Sequence, residues 1–139
     1  MLGVRYDSLY PNSGVLELRQ AIAEYHANDL KPDPTNQIMV SCGATEAIQM
    51  ALFTLVNPGD EVIVITPAWP NYFGQIGMVG ARMICVPARE ENGFIPDPDD
   101  IKAAITPKTK AIILNSPSNP TGAVIDKDTC KALADLLRE

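Results

Sequence analysis

Apolar positions recur along this chain in two periods, and their succession predicts helices and strands in alternation. Val15, Leu18, Ile22 and Tyr25 recur at three- and four-residue steps with Leu16 beside them, so a helix is predicted over 15–27. The short apolar run Ile38-Met39-Val40 predicts a first strand over 37–41. Ala47, Ile48, Ala51, Leu52 and Leu55 return to helical spacing and predict a helix over 44–56. Glu61-Val62-Ile63-Val64-Ile65 is a near-continuous β-branched run, the pattern of a strand buried on both faces of a parallel sheet. Beyond it the pattern predicts a helix over 71–79 ended by Gly80 and a third buried strand over 82–86. A short helix from Asp97 or Asp99 to Ile105 and a fourth strand over 110–115 come next. The last helix is capped by Asp126, with Leu133, Leu136 and Leu137 as its apolar positions.

Turn chemistry separates these elements. Tyr10-Pro11-Asn12-Ser13-Gly14, Lys31-Pro32-Asp33-Pro34-Thr35, Asn57-Pro58-Gly59-Asp60 and Thr106-Pro107-Lys108-Thr109 all break the periodicity, and 87–98 is a long polar loop. Residues 1–14 read as a lead-in and 15–139 as one core of ordinary domain size. Alternation of this kind predicts an α/β layer fold: a mostly parallel sheet, helices on both faces, right-handed crossovers. Ligands in such sheets bind beyond the carboxyl ends of strands. The loops 41–45, 66–72 and 115–122 all begin there.

Composition narrows the chemistry. The chain is 46% apolar and carries a net charge of −6, with no basic cluster, which argues against a nucleic-acid partner. No apolar run approaches a membrane span, and Met1-Leu2-Gly3-Val4-Arg5 is too short and polar to start a signal peptide, so the cytoplasm is the expected location. Cys42, Cys85 and Cys130 are odd in number and far apart, and His26 is alone. The expectation is three free thiols used as small core residues, and no metal site.

Ser41-Cys42-Gly43-Ala44-Thr45-Glu46 lies where a strand is predicted to turn into a helix. Helix starts expose N–H groups and the positive end of the dipole, so this turn reads either as an anion site or as a simple capped helix. Gly43 permits a tight turn, and Thr45 can cap the helix or offer its hydroxyl to an anion.

Four motifs in order then carry a resemblance: Gly43-Ala44-Thr45-Glu46-Ala47, Asn57-Pro58-Gly59-Asp60-Glu61-Val62, Pro67-Ala68-Trp69-Pro70-Asn71-Tyr72 and Asn115-Ser116-Pro117-Ser118-Asn119-Pro120-Thr121-Gly122. From about Tyr10 to its end the chain resembles the class I/II aminotransferases, fold-type-I enzymes that use pyridoxal 5′-phosphate. The resemblance implies part of a three-layer α/β/α large domain. It also implies that Gly43, Ala44 and Thr45 hold the cofactor phosphate, that Trp69 stacks on the pyridine ring, and that the Asn119 side chain donates to the ring oxygen. Tyr10 matches a tyrosine that in many relatives reaches the phosphate of a neighbouring subunit, which implies a homodimer. It lies four residues before Gly14, where relatives commonly have five, and a surface or core tyrosine is the other reading. Tyr72 would line the substrate side, and Asn115 would brace the loop.

The resemblance also says what to expect further on. The lysine that bonds the cofactor covalently, the aspartate on the pyridine nitrogen and the arginine that grips the substrate carboxylate all come later than residue 139 in relatives. Lys31, Lys102, Lys108, Lys110, Lys127 and Lys131 lie in none of that context. The chain is therefore expected to hold roughly the first half of a large domain and to be inactive alone. Its parent would move an amino group between an amino acid and a 2-oxo acid. A pyridoxal-phosphate lyase of the same fold, or a non-enzymatic interaction module, is the alternative.

Overall fold

The computed structural model describes residues 11–28 and 30–138. The chain divides into two compact units, Met1–Ala47 and Ile48–Glu139. The first contains helix α1 (Leu16–Tyr25) and the opening of α2 (Ala44–Leu55). The second contains β1 (Glu61–Thr66), α3 (Asn71–Met78), β2 (Arg82–Pro87), a 3-10 turn (Glu90–Asn92), α4 (Pro98–Ala104), β3 (Thr109–Ile113) and α5 (Lys127–Leu136).

In the first unit the apolar positions of α1 are only partly covered, with Val15 and Ile22 half-buried. Tyr25 is 82% exposed and Leu18 45%, whereas Arg19 is 6% exposed. The Arg19 guanidinium donates to the carbonyls of Gly14 (3.1 Å), Pro34 and Thr35 (3.1 Å). A buried Arg needs such acceptors, and here it ties α1 to the Pro32–Thr35 turn. The segment 37–41 is no strand. Its Val40 N–H donates to Ser13 (3.0 Å), but no ladder partner exists among the described residues, and a strand needs one. Gly14 lies against it with φ +93°; a Cβ there would sit 2.9 Å from the Val40 side chain.

The sheet of the second unit has three parallel strands in the order β2-β1-β3, not four. Successive side chains of a strand point to opposite faces. Val62 and Val64 meet Leu52, Tyr72, Ile76 and Val79 from α2 and α3, while Ile63 meets Ile101 of α4 and Leu133 of α5. These are helix, sheet and helix layers around one central strand.

Only β1 is buried on both faces. β2 and β3 are edge strands, so their apolar runs are half-exposed, against the expectation of a buried strand over 82–86. The three cysteines are free and all exposed rather than core residues; Cys85 lies on β2. Leu137 caps α5 and is 48% exposed, while Leu133 is buried.

The Asn57–Asp60 turn is structural. The Asp60 carboxylate accepts from Asn57 N–H (2.8 Å), and Gly59 N–H donates to the Gly80 carbonyl (2.9 Å). These bonds seat the starts of β1 and β2 side by side.

Asp126 caps α5 by accepting from Thr129 N–H (2.8 Å) and from its hydroxyl (3.1 Å). The Thr129 backbone bond, then its hydroxyl, holds the Asp126 carboxyl below the usual range. A carboxyl whose folded pKa is depressed stabilises above its unfolded value and loses that contribution as pH falls through the folded one. Asp126→Ala should therefore lower the melting temperature at neutral pH. The gap to the parent chain should close as pH drops below about 4, the unfolded aspartate value, which melting curves across pH will read.

Candidate functional site

The chain order of the strands positions the site. From β1 the chain crosses by α3 to β2 on one side, then returns by α4 to β3 on the other side of β1. The direction of travel reverses between β1 and β3, and the loops leaving those two strands part there. That is where open α/β sheets bind ligands. A cleft lies at this point, lined by Ile65 at the end of β1 with Ala68 and Tyr72 beyond it, and by Ile113 at the end of β3 with Asn115 and Asn119 beyond it. Its cavity volume is about 20 Å³, room for one water. The cleft is thus a floor, and a larger ligand would have to lie against the loops above it.

The loop after β3 is closed on itself. Ser118 N–H donates to the Ala123 carbonyl (2.8 Å) and Gly122 N–H to the Ser118 carbonyl (2.8 Å). Asn119 N–H donates to the Asn115 side-chain oxygen (2.9 Å), Ala123 N–H to the Thr121 hydroxyl (3.2 Å) and Ile125 N–H to the Ser116 hydroxyl (2.9 Å). Pro117 and Pro120 have no N–H, and both follow cis peptide bonds. Most of the loop's backbone donors are consumed internally, so it can address a ligand mainly through side chains. The Asn119 amide is exposed and takes no part in these bonds.

The loop after β1 begins at the cis bond Thr66–Pro67. Trp69 is half-buried against the α2–α3 core, and its ring meets Tyr72 edge-on with centroids 5.6 Å apart. Tyr72 N–H donates to the Trp69 carbonyl (3.2 Å), which fixes the loop at the start of α3. The structure thus brings the Trp69 and Asn119 loops to the carboxyl ends of neighbouring strands.

The turn before α2 is described within its own unit. Gly43 adopts φ +86°, a left-handed value that favours glycine, with nothing within 4 Å of where a Cβ would point. Ser41 hydroxyl donates to the Gly43 carbonyl (3.1 Å), and the Glu46 carboxylate reaches back to accept from Cys42 N–H. The helix therefore opens with a Glu46 contact like that of a capping box, and Ala47 N–H donates to the Gly43 carbonyl (3.3 Å). Tyr10 lies outside the described residues.

Sequence reasoning missed Phe94, which lines the cleft with φ +59°. Such a value is rare for a bulky residue; Asn92-Gly93 signalled only a turn. Among the described residues no group of three His, Cys, Asp or Glu could hold a metal ion, and no helix is long and apolar enough to cross a membrane.

The family profile for aminotransferase class I and II matches residues 5–139. The chain belongs to that family. Enzymes of the family use pyridoxal 5′-phosphate. Among its relatives is the aspartate aminotransferase of Pyrococcus abyssi, 42% identical over 131 residues, 93% of this chain and 34% of that protein. The structure is similar to that of Thermus thermophilus aspartate aminotransferase solved with maleate, with TM-score 0.89 and 40% identity over 94% of this chain and 35% of that one. It is similar as well to N-succinyldiaminopimelate aminotransferase from Mycobacterium tuberculosis, with TM-score 0.87 and 38% identity over 94% and 35%. The chain spans about a third of the length of the curated relatives it matches.

The residues present fit the family's cofactor. An exposed side-chain amide, an aromatic ring on a braced loop and a glycine-opened helix start are donors and surfaces of the types a phosphorylated pyridine needs.

Proposed function

We propose that this chain is the cofactor-holding part of an aminotransferase whose substrates are an amino acid and a 2-oxo acid. The observation that carries the reading is the pair of loops at the strand-order reversal, one carrying Trp69 beside the cleft-lining Ala68 and the other Asn119, in a chain of this family. In this reading backbone N–H groups of Ala44 and Thr45 and the Thr45 hydroxyl take the phosphate, with Gly43 letting it approach. Trp69 covers one ring face and restricts its tilt. The neutral Asn119 amide donates to the ring oxygen and favours its ionised form. When bound, the cofactor supplies an electron sink for the carbon that carries the amino group.

Among the described residues no lysine lines the cleft. The chain alone thus holds the cofactor without moving a proton, and it should not transaminate. Relatives named for aspartate and for N-succinyldiaminopimelate share this portion at similar identity. That supports a substrate choice made by residues outside it. A homodimer in the cytoplasm, with Tyr10 reaching the partner's site, completes the reading.

Pyridoxal phosphate should raise the melting temperature of the chain. Thr45→Ala and Trp69→Ala should each weaken its binding by roughly tenfold, the worth of one charge-assisted hydrogen bond or one aromatic contact. Equal dissociation constants for both variants and the parent chain in a fluorescence titration would overturn these assignments.

A further inference from the structure

We infer that Asn115 is a positioning residue that sets the ligand-facing geometry of Asn119. The inference rests on the site reading above, which makes Asn119 a cofactor donor. Asn115 leaves the end of β3, and its side-chain oxygen accepts the Asn119 N–H at 2.9 Å. That bond spans four residues and closes the loop just before Pro120. The Asn119 backbone has one N–H, and Asn115 holds it. The other loop bonds tie this span to the return of the loop: Ser118 N–H to the Ala123 carbonyl, Gly122 N–H to the Ser118 carbonyl, and Ile125 N–H to the Ser116 hydroxyl. The Ser118 carbonyl holds one side of the Ser118–Asn119 peptide group, and Asn115 holds its other side through the Asn119 N–H.

Loss of this acceptor frees rotation about the backbone at 119 and swings the exposed amide. An acceptor is what the position requires, since the partner is an N–H. Aspartate meets that need at the same reach, and leucine has the size without the oxygen. The Asn115 side chain also lines the cleft floor, so the experiment must separate an indirect role from direct contact with the cofactor.

Asn115→Leu, Asn119→Ala and the double variant should be compared in the full chain by titration with pyridoxal phosphate, together with hydrogen exchange at the Asn119 amide. The expected result is a roughly tenfold weaker binding for Asn115→Leu, a similar loss for Asn119→Ala and no further loss in the double variant. Exchange at the Asn119 N–H should rise at least tenfold in Asn115→Leu while β1 amides stay unchanged, and Asn115→Asp should keep that protection. If the two losses multiply in the double variant, the positioning role is overturned and Asn115 acts on the cofactor itself. Unchanged exchange at Asn119 in Asn115→Leu overturns it as well. Binding unaffected by Asn119→Ala, or absent in the parent chain, overturns the site reading and this role with it. Should Asn115→Leu fail to fold, Asn115→Asp decides: loss of Asn119 amide protection there counts against the role.

Discussion

Ile63→Ala lowers the unfolding free energy of the second unit by about 4 kcal/mol, at the upper part of the range for a fully buried aliphatic truncation. Ile63 is 1% exposed in the central strand, and its side chain meets Val86, Ile101 and Leu133. It is the point where β1 touches both α4 and α5. Neither helix can collapse into the space left, because each is fixed at its start by an aspartate cap, Asp97 on Asp99 N–H and Asp126 on Thr129 N–H. Domains are stable by only about 5–15 kcal/mol, so this one change removes a large part of the total. Ile63→Val should cost about 1 kcal/mol. Urea unfolding measures both, and an unchanged slope with a shifted midpoint assigns the loss to the folded state.

Glu61→Ala should cost about 2–3 kcal/mol, for a different reason. Glu61 is 5% exposed and lies at the start of β1, at the end opposite the cleft. Its carboxylate accepts from the Thr106 hydroxyl at 2.6 Å and faces Arg82 at 3.5 Å. Arg82 is largely exposed, and an ion pair to an exposed partner contributes little. The Thr106 bond dominates, because Thr106 organises the turn into β3: its hydroxyl accepts from Lys108 N–H, and its own N–H donates to Thr109. The register of β3 on β1 shifts next to Glu61, between Glu61 and Val62. Glu61 thus fixes where the third strand begins, and its removal takes a charge-assisted acceptor from the exposed Thr106 hydroxyl and leaves a gap at the buried start of β1. Glu61→Gln keeps an acceptor and should cost less than half as much. Chemical denaturation of the two variants side by side will show this order, and equal losses would assign the effect to charge instead.

Most helices and the parallel core were readable because their apolar periods are long and their turns carry Pro, Gly and Asp. Burial was less readable. Glu61–Ile65 and Arg82–Val86 look alike in sequence, yet one is central and the other an edge, because sheet position depends on strand order and not on local pattern. Ile38-Met39-Val40 has a strand's composition without a ladder partner among the described residues. The buried face of α1 turned on Arg19, whose carbonyl acceptors come from a turn fifteen residues away. In the candidate region, the motifs placed Trp69 and Asn119 on loops that leave strands, and the structure has those loops after β1 and β3. The left-handed Phe94 and the use of Glu46 at the start of α2 could not be read from motifs, since both depend on how short polar segments close on themselves.

Under the proposed function, pyridoxal phosphate is held by Ala44 and Thr45, by Trp69 and by Asn119. Pyridoxamine phosphate is the right probe, because it has no aldehyde to react with the chain's lysines. Its titration into the isotope-labelled chain, followed by NMR, tests the claim directly. The account predicts that the amide signals of Ala44 and Thr45, the Trp69 indole N–H and the Asn119 side-chain amide move with a single dissociation constant. It also predicts that inorganic phosphate moves only the first two. Shifts confined to Ala44 and Thr45 with both ligands, or no shifts at all, would contradict it.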